Sequence, residues 1–93
     1  KNISQPDVTL WGADGTLRLD IVTDIPAVQL YTGNHLENEN FAVNQPLSRH
    51  SGIAIETAFL PDAPNQNYAD QPSCILRPGQ TYDSRTDFRF RTT

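Results

Sequence analysis

Wherever this sequence has a readable hydrophobic period, that period is two, and no stretch sustains the 3.6-residue period of an amphipathic helix. Strands that bury one face produce such a pattern, so an all-β, antiparallel fold with long loops is expected. Val8 and Leu10 alternate with Thr9 and Trp11, and Leu17, Leu19 and Ile21 alternate with Arg18 and Asp20. Between the two runs, Ala13-Asp14-Gly15 carries the Asp-Gly pair favoured in tight hairpins, because both residues tolerate positive φ. The two runs are therefore read as a hairpin.

Thr23-Asp24-Ile25-Pro26 interrupts the pattern, and Pro26 has no amide hydrogen to give a central ladder, so a turn is expected there. Ala27 to Tyr31 reads as the next strand, with Val28 and Leu30 on one face and Gln29 and Tyr31 on the other. From Thr32 to Ser51 the chain is polar, includes four Asn and shows no sustained period, so a long loop of functional or mobile character is expected. Gly52 to Phe59 is the fourth strand: Ile53, Ile55, Thr57 and Phe59 share one face, and Ala54, Glu56 and Ala58 the other. Pro61-Asp62-Ala63-Pro64-Asn65 can continue neither strand nor helix. Cys74 to Leu76 reads as a short strand, Arg77-Pro78-Gly79-Gln80 as a type II turn, and Thr81 to Arg91 as the last strand, with Phe88 and Phe90 opposing Asp87, Arg89 and Arg91.

Length and charge narrow the functions open to such a chain. Its 93 residues allow one small domain at most. A formal charge of −4, from seven Lys and Arg against eleven Asp and Glu, argues against gripping nucleic-acid backbones, which needs clustered cations. Apolar runs such as Ile53 to Ile55 are far shorter than the roughly 20 residues that span a bilayer, and no signal peptide is visible. Cys74 has no second cysteine to pair with, so a reduced, cytoplasmic setting is the simplest reading. The chain contains no Met and starts at Lys1, which is read as the mark of processing, trimming or a longer parent protein.

Candidates for chemistry are few. His35 and His50 form no recognised metal spacing, and neither a G-x-S-x-G elbow nor a glycine-rich phosphate loop is present. Cys74, in an apolar stretch, reads as a buried inert thiol. Arg49 and His50 read as solvated loop residues. Glu56 stands out because its small neighbours Ala54 and Ala58 leave a hollow in which a ligand could reach the carboxylate; the competing reading is the solvent face of a half-buried sheet. Tyr31 and Gln29 have the same two readings.

Four runs in order resemble the C-terminal part of the aldose 1-epimerases, or galactose mutarotases: Leu30-Tyr31-Thr32-Gly33-Asn34, His50-Ser51-Gly52-Ile53-Ala54-Ile55-Glu56-Thr57, Leu60-Pro61-Asp62-Ala63-Pro64-Asn65 and Leu76-Arg77-Pro78-Gly79-Gln80-Thr81-Tyr82. The resemblance covers most of Val28 to Phe90; Lys1 to Ile25 resembles the family only in its strand-turn-strand character. It implies that residues 1–93 are the C-terminal segment of one larger mutarotase-like β-sandwich, a supersandwich of several hundred residues. It further implies that Glu56 is the general base acting on the anomeric hydroxyl of a free aldohexose such as galactose or glucose, with Tyr31 packing near the sugar.

The same resemblance places the acid His, and further His, Asp and Arg contacts to the sugar, upstream of Lys1; His35 and His50 do not match them. The implied partners are thus the sugar and the remainder of the domain, with no metal, cofactor, nucleic acid or membrane. Two departures touch local packing: His35 stands where an apolar aromatic is common, and Gln80 where Glu is common. A non-catalytic mutarotase-like sugar-binding or regulatory module is the alternative. A phosphosugar epimerase is disfavoured because no Arg cluster adjoins Glu56.

Overall fold

The structure, a computed structural model, describes residues 4–42 and 45–92. Strands β1 (Val8–Trp11), β2 (Leu17–Thr23), β3 (Ala27–Tyr31), β4 (Asn40–Ala42), β5 (Gln45–Pro46), β6 (Ala54–Ala58) and β7 (Thr86–Thr92) form three antiparallel sheets, β1-β2-β7, β3-β6 and β4-β5. The helical turns described are two 3-10 turns, Leu36–Asn38 and Ala63–Asn65. The all-β expectation is met.

The first hairpin pairs Leu10 with Leu19 and Trp11 with Arg18, as the alternation requires. Its turn is wider than a two-residue connection. The Gly15 N–H donates to the Gly12 carbonyl at 2.9 Å, and the Gly12 N–H donates to the Leu17 carbonyl at 2.8 Å. Gly15 takes a φ of 75°, but Asp14 contributes through its carboxylate, which accepts the Thr16 N–H at 3.0 Å and the Thr16 hydroxyl at 2.8 Å. These two bonds hold the Asp14 pKa below its ordinary value.

β2 is the central strand. It pairs with β7 from Leu17↔Thr92 to Thr23↔Thr86, so Leu19, Ile21, Phe88 and Phe90 share one face with Val8 and Leu10. Ile21 is fully enclosed and Val22 is buried on the opposite face. Full burial of a side chain such as Ile21 contributes about 1.5–3 kcal/mol. The rest of the apolar face is open: Leu17, Phe88 and Phe90 are 46%, 53% and 66% exposed, so this sheet does not cover its own hydrophobic surface.

The polar face is cross-linked instead. The buried Asp20 carboxylate accepts the Thr9 hydroxyl at 2.8 Å and the Arg18 Nε–H at 2.7 Å, with Arg91 Nε at 3.6 Å. Burial pushes the Asp20 pKa up, but the Arg18 and Thr9 hydrogen bonds and the charges of Arg18 and Arg91 outweigh it, and the net shift is downward. The Arg18 guanidinium also lies 5.1 Å from the centre of the Trp11 ring, a cation–π contact. At the far end of β2 the expected turn is braced from both sides. Asp7 accepts the Thr23 N–H at 2.8 Å, and Asp24 accepts the Arg85 N–H at 2.9 Å.

Several expected boundaries move, for one reason: a strand extends only as far as its partner. β7 begins at Thr86 rather than Thr81 because its partner β2 ends at Thr23. β6 covers Ala54–Ala58 rather than Gly52 to Phe59 because β3 offers only Ala27 to Tyr31. Cys74 to Leu76 is not a strand: Pro72 and Pro78 bracket it, and among the described residues no strand pairs with it. Cys74 is half-buried rather than buried. The Pro78-Gly79 turn is as expected, with Gly79 at φ 85° and the Gln80 N–H donating to the Arg77 carbonyl at 3.1 Å. Thr32 to Ser51, expected to be irregular, contains the Leu36–Asn38 turn and the β4-β5 pair; Val43 and Asn44 lie outside the described residues.

The radius of gyration is 16.9 Å, against about 12 Å for a compact domain of this length. The strand contacts run chiefly within the sheets, and the molecule is extended, 49 × 33 × 24 Å.

Candidate active site

The ribbon β3-β6 carries both residues singled out in the sequence. Its register pairs Ala27 with Ala58, Gln29 with Glu56 and Tyr31 with Ala54. Side chains alternate across a strand, so Ala27, Gln29, Tyr31, Ala54, Glu56 and Ala58 share one face, while Val28, Leu30, Ile55 and Thr57 share the other. Glu56 therefore has Gln29 directly opposite and Tyr31 as its diagonal neighbour, a relation that places Cα atoms about 7–8 Å apart.

Exposure fits both readings of the sequence, a hollow beside the carboxylate and the solvent face of a half-buried sheet. Glu56 is exposed, whereas its strand neighbours Ala54 and Ala58 are partly covered. Two methyl groups beside a carboxylate leave its oxygens open to an incoming hydroxyl. Tyr31 is tethered: its hydroxyl accepts the His35 N–H at 3.0 Å, and 37% of its surface is free. A cleft of about 330 Å³ borders the ribbon along Ala27 to Leu30 and Ala58 and continues past Phe59 to Pro61; Glu56 and Tyr31 are not in its lining. An amide, a carboxylate and a phenol ring on one open face can hydrogen-bond and stack against a small polyhydroxylated molecule. Among the three, the carboxylate of Glu56 is the group whose chemistry suits a general base.

The segment after β6 is a self-contained brace. Asp62 adopts a left-handed φ of 56°, and its carboxylate accepts Asn65 Nδ2–H at 2.7 Å and Gln66 Nε2–H at 3.0 Å. These two bonds lower its pKa. The Tyr68 hydroxyl donates to the Pro61 carbonyl at 2.6 Å.

His50, read from the sequence as a solvated loop residue, is exposed but bonded. Its N–H donates to the Gly33 carbonyl at 2.9 Å, and its Nδ1 lies 2.8 Å from the Thr32 carbonyl. It thereby ties the end of β3 to the approach to β6. Neither this tie nor the Gln29–Glu56 pairing has a local sequence signature, because both depend on register. His35 meets the site through its backbone N–H, which donates to the Tyr31 hydroxyl. Among the described residues, no three His, Cys, Asp or Glu side chains gather in a way that could hold a metal ion. No helix among them is long and apolar enough to cross a membrane.

An all-β, antiparallel segment with a carboxylate on an open sheet face is what fold and site define. The sequence model of the family "Aldose 1-epimerase" matches residues 1–89. The chain is 42% identical over 81 residues to the aldose 1-epimerase of Escherichia coli K12, covering 87% of this chain and 23% of the relative. It is 42% identical over 73 residues to the human galactose mutarotase (77% and 21%), and 37% identical over 91 residues to the aldose 1-epimerase of Haemophilus influenzae (94% and 26%). No solved structure gives a significant match. The chain belongs to the aldose 1-epimerase family, and it spans about a quarter of the length of these curated relatives.

Proposed function

We propose that this segment supplies the general base of a mutarotase that interconverts the α- and β-anomers of free aldohexoses such as galactose or glucose. The observation that carries the reading is the face shared by Glu56, Gln29 and Tyr31, in a chain whose family relatives are named aldose 1-epimerases. Glu56 takes the proton from the C1 hydroxyl while an acid outside these residues protonates the ring oxygen. The C1–O5 bond breaks, C1 becomes the aldehyde carbon of the open chain, and rotation about C1–C2 turns its other face to O5. The two proton transfers then run in reverse and close the ring as the other anomer. Every proton removed is returned, so no cofactor is consumed.

The remainder of the domain is the proposed partner of the uncovered face. The exposure of Phe88 and Phe90 on β7 and the extended shape of the segment both support a larger sandwich completed by other strands. On this reading the isolated residues 1–93 expose sheet edges and do not turn over sugar alone, because the acid is missing. The setting proposed is cytoplasmic.

Polarimetry of α-galactose or α-glucose anomerisation by the full-length protein tests the reading. Glu56→Gln, which keeps shape and removes basicity, is expected to lower kcat/KM by roughly 100- to 10,000-fold, the range of a placed acid-base group. A wild-type rate in that variant would remove Glu56 from the chemistry. A sugar that binds without turnover in the wild type would favour a binding module instead.

A further inference from the structure

If Glu56 is the base, its register in the ribbon has to be fixed, and ordinary hairpin devices do not fix it. A slip of one residue in β6 moves every side chain to the opposite face and would take Glu56 away from Tyr31 and Gln29. Short turns normally set register, but β3 and β6 are joined by residues 32–53, far beyond a tight turn. Ala54 and Ala58 on the Glu56 face are too small to interlock strongly with Tyr31 and Ala27.

The strands are instead fastened at one end. Gly33, at φ 79°, is in such close contact with the returning chain that a Cβ there would lie 2.6 Å from Leu36 Cδ1 and 2.8 Å from the Gly52 carbonyl oxygen. His50 faces the same crossing in a left-handed conformation, φ 63°, which residues other than glycine adopt uncommonly and which persists where surroundings over-determine it. Its main chain bonds the Gly33 carbonyl and its ring the Thr32 carbonyl, the two residues that follow the Tyr31↔Ala54 pair. A carbonyl only accepts, so this contact is a hydrogen bond when Nδ1 carries the proton.

We propose that His50 is a positioning residue for Glu56: its Nδ1–H bond to Thr32 locks the β3-β6 register and so the orientation of the base. The proposal rests on the role given to Glu56 above. Two variants of the full-length protein separate backbone from side chain. Asn and Gly both tolerate the left-handed φ, but only Asn offers an N–H near the place of Nδ1. His50→Gly is expected to lower kcat by roughly 10- to 100-fold with KM little changed, because a misplaced base loses transition-state stabilisation rather than sugar binding. His50→Asn is expected to recover the rate to within about threefold of wild type, as a retained hydrogen bond would. Nitrogen-15 spectra of the neutral ring are expected to show Nδ1 protonated.

His50→Gly at the wild-type rate, His50→Asn as slow as His50→Gly, or a neutral ring protonated at Nε2 would each overturn the proposal. If His50→Gly does not fold, the Asn variant and the ring spectrum still decide it. A wild-type protein that does not anomerise sugar would sink the assignment of Glu56 and this proposal together, whereas active wild type with unaffected His50 variants sinks only the latter.

Discussion

The β1-β2-β7 sheet and the β3-β6 ribbon arise from the same alternation of side chains but are held together by different means. In the sheet, β2 is paired on both sides, Ile21 is enclosed, and Asp20 gathers Thr9, Arg18 and Arg91 on one carboxylate. In the ribbon each strand has one partner, Glu56 and Leu30 are exposed, and the fastening lies at the Gly33–His50 crossing. Burial is thus concentrated in the sheet, where no chemistry is proposed, and the proposed base stands exposed on the ribbon.

Four expected outcomes can break or sharpen this contrast, all in the full-length protein. The largest is Ile21→Ala, which empties a fully enclosed side-chain position and should destabilise the protein by about 2–5 kcal/mol in a denaturant titration. A loss below about 1 kcal/mol would show that the sheet is not the anchor. Next comes Gly33→Ala at the ribbon crossing. Strain of this kind costs about 1–3 kcal/mol, and the variant should lose activity as well as stability, whereas Ile21→Ala should retain kcat in its folded fraction.

The same contrast was only partly visible in the amino-acid pattern. Val8 to Ile21 could be read residue by residue because half-buried strands write their burial into alternation. The face of Glu56 was readable for the same reason. The β4-β5 pair was not, since strands of two and three residues are held by main-chain bonds that leave no side-chain period. Cys74 to Leu76 shows the converse: three apolar-leaning residues imitate a strand, but nothing lies alongside to pair with them. His50 was illegible because its bonds reach carbonyls 17 and 18 positions earlier in the chain. A local window holds no trace of such a contact.

Acid should weaken the sheet. The folded state lowers the pKa of Asp20, where hydrogen bonds and charge overcome burial, and of Asp87, chiefly through its hydrogen bonds from Arg85 and Arg89. Groups with lowered values bind fewer protons folded than unfolded. Their stabilisation is therefore complete above the ordinary aspartate range and is lost as pH falls below about 4, through the lowered folded values. Asp20→Asn should flatten that acid limb in melting curves between about pH 2 and 5; an unchanged limb would mean that Asp20 does not contribute to it. The smallest effect belongs to Arg85→Ala. Arg85 is exposed, and solvent screens its 2.7 Å pair with Asp87, so the melting temperature should stay within measurement error.

The central claim is that the carboxylate of Glu56 takes the proton from the sugar, and chemical rescue tests it most directly. Glu56→Ala should be nearly inactive in anomerisation of α-galactose, and added acetate or formate should raise its rate in proportion to concentration while leaving the wild type unaffected. A Glu56→Ala protein that is folded, binds sugar and gains nothing from either carboxylate would contradict the account, as would one that retains the wild-type rate without them.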